Sequence, residues 1–195
     1  MDVALVVKDA LRMLGAKTGD PEQEALLRKV YAENKDTFCP RAVYAVYKIT
    51  EHSPVVKMDG YAFPFTGESI RRHLDGAEYA LLSAFTLGIA IDKRIKELSL
   101  ARPSESVALN ALASSYAERV ADEMLADERK KLEAEGYVTN FRFCPGYGDL
   151  PLSTNGEIAN ALNAQKKIGL TVMEDGLMLP RKSMIGIVGA KKEVR

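Results

Sequence analysis

The stretch from Ser104 to Glu135 constrains every fold open to this chain. Leu109, Leu112, Tyr116, Val120, Met124 and Leu132 recur along one face of a helix, while Glu118, Arg119, Asp122, Asp127 and Lys130 mark the other. An apolar stripe of that length needs a second layer to bury it. The charged face reads as a solvated surface. Nothing else in the 195 residues is as long.

Shorter elements surround it. Val3, Val6 or Val7, Ala10, Leu11 and Leu14 have helical spacing, and Gly15 ends that helix. Asp20 caps a second helix, with Pro21 in its first turn and acidic residues after it. "RAVYAVYKIT" alternates and is rich in Val and Tyr, which predicts a strand. "PVVKMDGYAFPF" predicts one or two short strands around the Asp59-Gly60 turn. Thr66 to Leu74 reads as a short helix capped by Thr66, with Ser69 as the weaker choice. "EYALLSAFTLG" reads as a buried strand ending at Gly88, and "IAIDKRIKELSL" as a helix. Thr154 and Glu157 have the spacing of a capping box for a helix through about Lys167. "IGLTVM" and "SMIGIVGA" read as strands, with "EDGLMLPRK" between them. There is no internal repeat, no low-complexity segment and no linker. The expected fold is α+β: a mixed or antiparallel twisted sheet of about five strands, flanked by three or four helices, in a single domain over residues 1–195.

Charge and composition exclude several functions. Twenty-seven basic residues balance 27 acidic ones, with no basic run and no aromatic-plus-basic stripe, so nucleic acid is not an expected partner. No segment has the length of a membrane span. "MDVALVVKDALRML" is interrupted by Asp2, Lys8 and Asp9, as in an amphipathic helix and unlike a signal peptide, so a cytoplasmic location is expected. Cys39 and Cys144 are far apart and form no CxxC motif; both read as reduced, partly buried thiols. With only His52 and His73 and no clustered Cys, no metal site is expected. In "GYGDLP", Pro151 stands at the third glycine of a dinucleotide fingerprint. "RRHLDG" places His73 and Gly76 as in the Asp-x-His-x-x-Gly loop of cobalamin carriers, but Arg71 stands where the orienting Asp belongs. His73 therefore reads as a helix-surface residue. No nucleophile-base pair is readable, and no catalytic residue is expected.

One segment remains: "FRFCPGYGDLPLSTNGEIANAL", Phe141 to Leu162, rigid and punctuated by glycine. Arg142 offers a forked, permanently charged clamp for a carboxylate. Pro145 removes freedom before Gly146, which permits positive φ and close approach of the backbone to a ligand. Tyr147 adds a flat face and a hydroxyl. Taken alone, these residues also fit a rigid surface turn.

The wider pattern is Arg142-x-x-x-Gly146-Tyr147 with "PGYGDLPL", "AQKKIGLTVMEDGLMLPRKSMIGIVG" and the upstream "SAFTLG". It resembles the activation (reactivation) domain of cobalamin-dependent methionine synthase, above all its short free-standing versions. The likeness spans nearly the whole chain and is strongest over residues 137–190. It implies binding of S-adenosylmethionine by Arg142, Gly146 and Tyr147 and by the main chain at Cys144. It also implies a partner, a cobalamin-binding methionine synthase or other corrinoid protein, which supplies the cobalamin. A flavodoxin or other reductase would deliver the electron. The implied role is to present the methyl donor to oxidised cobalamin by proximity, with no acid-base group from this chain. The chain departs from the long enzymes at Met173-Glu174-Asp175, where those carry Thr-Glu-Ser, and at Val188, near which a Tyr contacts their ligand. An acidic contact for the ligand ammonium is expected in the N-terminal half, with Asp59 as the candidate. Two rival roles stay open: an activator of another corrinoid-dependent methyltransferase, and an interaction module that has lost cofactor binding.

Overall fold

The computed structural model describes residues 2–15 and 20–193. Helices α1 (Val3–Met13) and α2 (Pro21–Asn34) lead into strand β1 (Arg41–Glu51) and the short β2 (Lys57–Met58). Then follow α3 (Glu68–His73), β3 (Tyr79–Thr86), α4 (Ile89–Ala101) and the long α5 (Pro103–Ala134). The C-terminal part holds β4 (Tyr137–Thr139), α6 (Thr154–Ala161), α7 (Ala164–Ile168), β5 (Thr171–Val172), β6 (Met178–Leu179) and β7 (Ser183–Lys192). Five strands form one sheet in the order β2-β1-β3-β7-β4, and every pairing is antiparallel. The expected α+β class is correct, with the antiparallel form of the sheet. β5 and β6 stand apart as a hairpin rather than joining that sheet.

Central strand β3 explains the layering. Ala80, Leu82 and Ala84 point into a core shared with α3, α6 and α7. Leu81 and Phe85 point the other way, into cores built on α5. A strand buried on both faces reads as the continuous apolar run that this sequence shows. α5 does two jobs along its length. Leu109 and Leu112 in its first half pack against α1, α2 and α4, while Leu125 and Leu132 lie on the sheet against Leu81 and Val188. Polar ties reinforce the first half: Ser115 Oγ donates to the Val6 carbonyl at 2.9 Å, and the Arg119 guanidinium bonds Asp9 at 2.5 and 2.8 Å.

Two local expectations are corrected. Thr66 does not cap α3. Its N-cap is Gly67, at φ 119°, and the capping carboxylate arrives from Asp149, 81 residues beyond Glu68. The Asp149 oxygens accept from the N–H groups of Glu68 and Ser69 at 2.6 and 2.9 Å. Nor does Thr154 form a capping box: it is already the first helical residue, and Ser153 before it is helical with no side-chain cap bond. The single helix expected to reach Lys167 is two, broken where Asn163 takes the left-handed conformation at φ 55°. Asn tolerates that region better than most residues.

Two stability outcomes follow. Leu112 is fully buried, so Leu112→Ala should cost roughly 2–5 kcal/mol in chemical denaturation. Leu100→Ala, at a side chain 85% exposed, should stay within about 0.5 kcal/mol. Asp149→Ala should lower the thermal midpoint by about 2–4 °C at neutral pH. The backbone donors of Ser69 and Glu68 hold the Asp149 carboxyl below its usual range. That contribution is present above the unfolded carboxylate pKa and is lost as pH falls through the folded one. The gap between wild type and variant should therefore close in acid; a gap that widens there would contradict the capping role.

Candidate functional site

The loop after β4 is shaped by its pairing with β7. Tyr137 to Thr139 run opposite Lys192 to Ala190 in regular register. Asn140 then steps out of line; its side chain donates to the His73 carbonyl at 2.6 Å and accepts from Gly189 N–H at 2.7 Å. Pairing resumes when Phe143 bridges Ile187, with N–H···O distances of 2.9 and 2.8 Å. Neighbouring residues on an extended chain point to opposite faces. Phe143 thus enters the core on one side of the sheet, and Arg142 lies over the other. There it crosses Gly186, where an added Cβ would collide with Cγ and Cδ of Arg142, only 2.6 Å from Cδ.

The turn itself is fixed from several directions. Tyr147 N–H donates to the Cys144 carbonyl at 3.0 Å, Gly146 N–H to Leu150 at 2.9 Å, and Leu150 N–H to Tyr147 at 3.1 Å. Gly146 adopts φ 91°, which side-chain-bearing residues rarely take. Gly148 passes so close to Ser69 that no Cβ would fit. Leu150 is buried in the core, and Asp149 is tied to the start of α3.

Arg142 is not a free arm. Its side chain is only 11% exposed, and its guanidinium pairs with Glu118 on α5. Nε lies 3.5 Å from Asp122, buried and without a hydrogen-bond acceptor, and Nη1 is 3.0 Å from the Met184 sulfur. Glu118 and Asp122 are one turn apart on α5 and share a face. Both are more than half exposed, at 55% and 59%. The face of α5 expected to be simply solvated is therefore the second wall of this site. Burial alone would lower the Arg142 pKa, but Asp122 and Glu118 outweigh it and raise it.

Cys144 and Tyr147 complete the cluster, joined by the backbone bond from Tyr147 N–H to the Cys144 carbonyl, with their side chains close enough to interact. Burial pushes the Cys144 thiol up, against the opposing pull of Arg142, so it remains a thiol near neutral pH. Tyr147 is 53% exposed and meets the Phe143 ring edge-on, 5.6 Å between centroids. The structure thus brings together Arg142, Cys144 and Tyr147 on the turn made by Gly146, and adds Glu118 and Asp122. The cavity under Arg142, lined also by Tyr44, Ser83 and Met184, is about 10 Å³. That is room for a single water at most, so anything larger must lie on the open surface above the Arg142–α5 seam.

Other expected residues are placed elsewhere. Asp59 lies in the turn after β2, at the edge of the sheet opposite β4, roughly 19 Å of strand spacings away. It is no neighbour of Arg142. His73 is not a surface residue: its ring is half-buried between Phe141 and Phe143, with centroids 4.7 and 4.9 Å away, and burial lowers its pKa. Val188 is fully buried among Leu81, Leu125 and Leu132, so its position is closed to a ligand. Met173, Glu174 and Asp175 form the β5–β6 turn, where Asp175 accepts from Leu177 N–H at 3.0 Å. Both cysteines are free; Cys39 is exposed rather than partly buried. Among the described residues no group of three or more His, Cys, Asp or Glu is placed to hold a metal ion. No helix among them is long and apolar enough to cross a membrane.

No protein-family model matches the chain, and no curated protein matches it. Among solved structures it is similar to the crystal structure of the MetH reactivation domain bound to AdoHcy. The TM-score is 0.68 at 18% sequence identity, over 94% of this chain and 70% of that one. At that identity the likeness establishes a shared fold: this chain is built as a MetH-reactivation-domain-like α+β structure.

Proposed function

We propose that this chain binds S-adenosylmethionine at the Arg142–Tyr147 turn and presents it to a separate, cobalamin-carrying methionine synthase chain. The observation that carries this reading is the charge pattern at the seam: a held guanidinium with an orphaned Nε, beside two half-exposed carboxylates. An amino-acid head group is the complement of that pattern. Its carboxylate suits Arg142, and its ammonium suits Glu118 or Asp122. The ligand named in the neighbouring structure, AdoHcy, has such a head group.

The remaining residues fit the same molecule. Tyr147 offers an exposed ring face for a purine. Gly146 lets the backbone come close, and the Cys144 carbonyl keeps a second lone pair beyond the one that Tyr147 N–H occupies. S-adenosylmethionine supplies a sulfonium methyl group. This chain's residues hold and orient it, and no group in the cluster acts as a general acid or base. Cobalamin and an electron donor, a flavodoxin or another reductase, belong to partner proteins in this reading. Buried Val188 favours one rival, an interaction module that no longer binds the cofactor, because the family's aromatic contact has no space here.

Titration calorimetry with S-adenosylmethionine decides between them. Arg142→Ala removes packing over Gly186 as well as charge, so the informative variants are Arg142→Lys and Glu118→Gln. Arg142→Lys keeps the charge and loses the fork, and should weaken binding. Full loss of the charge-assisted bond would cost roughly 1.5–3 kcal/mol, about ten- to hundredfold in affinity; the Lys variant should recover part of that. Glu118→Gln should weaken binding without unfolding the chain. No heat of binding to the folded wild type would leave the interaction module standing.

A second measurement addresses the partner. A cobalt(II) corrinoid protein, S-adenosylmethionine and a reductant should yield methylcobalamin faster when this chain is added. An equal rate without it would remove the activation role. A response from another corrinoid methyltransferase, and none from methionine synthase, would reassign the partner.

A further inference from the structure

The geometry points to a second binding site, for a small phosphate ester, in the groove between α4, the first third of α5 and the β6–β7 turn. This groove has a volume of about 810 Å³, within the range of small-molecule sites, roughly 300–1,000 Å³. Four cations converge on it from two segments: Lys93 and Lys96 on α4, and Arg181 and Lys182 before β7. The chain as a whole has no net charge, and several cations elsewhere on it are paired. Arg28 meets Glu24, Lys29 and Arg102 meet Glu105, and Arg119 meets Asp9. None of the four groove cations makes an ion pair among the described residues.

The one carboxylate in the groove is already committed. Asp92 accepts from the Arg181 backbone N–H at 2.6 Å and so fixes the turn. Lys182 is partly buried, and its ammonium donates to the neutral Ser114 hydroxyl at 2.8 Å. Burial lowers the Lys182 pKa, Asp92 opposes that, and Arg181 adds to it. A partly buried ammonium whose direct partner is a neutral hydroxyl is under-compensated, and a further anion in the groove relieves it.

The chemistry of the ligand follows from the lining. A phosphate monoester carries about −2 in charge and three strong acceptor oxygens, so one group answers several ammonium donors. Ile89 and Leu179, both exposed, flank the cations and suit an apolar or aromatic ester group. S-adenosylmethionine, cationic at sulfur, is repelled here. The site is therefore distinct from the Arg142 turn and does not depend on the reading given for it.

The test is calorimetry on the full chain at low salt with three probes: phenyl phosphate, inorganic phosphate and phenol. Phenyl phosphate should bind, inorganic phosphate should bind more weakly, and phenol should not bind. Lys96→Ala and Lys182→Met should each weaken phenyl phosphate by about tenfold or more. Should Lys182→Met fail to fold, Lys96→Ala, at an exposed position, carries the comparison. S-adenosylmethionine titrated into Lys96→Ala should behave as with the wild type, which separates this site from the other. The proposal is overturned if phenyl phosphate gives no heat, or binds the variants as it binds the wild type. It is also overturned if polyglutamate binds and phenyl phosphate does not displace it, since the groove would then be a face for an acidic protein.

Discussion

Strand β7 is held on both sides, and the candidate site hangs from it. On one side it pairs residue for residue with β3 from Ser183 to Ala190. On the other it pairs with β4 and then, after the step at Asn140, with Phe143. Backbone bonds of this kind fix position to a fraction of an ångström, because a slip of one residue would turn every side chain to the wrong face. Phe143 would leave the core and Arg142 would enter it. The register therefore decides that the guanidinium, and not the aromatic ring, lies on the α5 side.

Gly186 turns that register into a site. With no Cβ at this point, the Arg142 stem lies flat on the strand and reaches α5. Its charge is then met by Glu118 and Asp122. A guanidinium buried to this degree demands such partners. Because those partners are themselves more than half exposed, the cluster is held from below and open above. The turn beyond is equally fixed, by Asp149 at the α3 N-terminus and Leu150 in the core. A rigid turn spends little conformational entropy when a ligand arrives.

Much of this was legible in the sequence, because it rests on local patterns. The apolar periods of α1 and α5, the Asp20 cap and Pro21 start of α2, the alternation of β1 and the apolar run of β3 all appear where those patterns place them. What was illegible depends on distant residues. Thr66 has the chemistry of a cap, but Asp149, 81 residues beyond Glu68, fills that role. Thr154 and Glu157 have capping-box spacing, yet the helix begins one residue too early for it. Within the site, Arg142, Gly146 and Tyr147 were marked by the resemblance of the wider pattern, since alone they also fit a surface turn. Glu118 and Asp122 were not, because a carboxylate facing water and a carboxylate facing Arg142 look alike along a helix. The one available signal was their separation of four residues, which puts both on one face. Asp59, chosen for its position in the chain, lies at the wrong edge of the sheet.

That same face of α5 continues one turn toward its N-terminus, to Ser114. Ser114 bonds Lys182, and Glu118 pairs with Arg142, about 6 Å further along the helix axis. The two cations come from different segments, Lys182 just before β7 and Arg142 after β4, and meet α5 one turn apart. One pairs directly with a carboxylate; the other donates to a hydroxyl, with Asp92 acting on it only from beyond ion-pair distance. A chain with equal numbers of acids and bases has thus segregated them locally, leaving a cationic groove beside an acidic seam. Charges facing a common helix at this range interact even through partial screening. An anion in the groove would offset the positive potential that Lys182 adds at the Arg142 seam, so the two surfaces are electrostatically linked through α5 whatever each one binds.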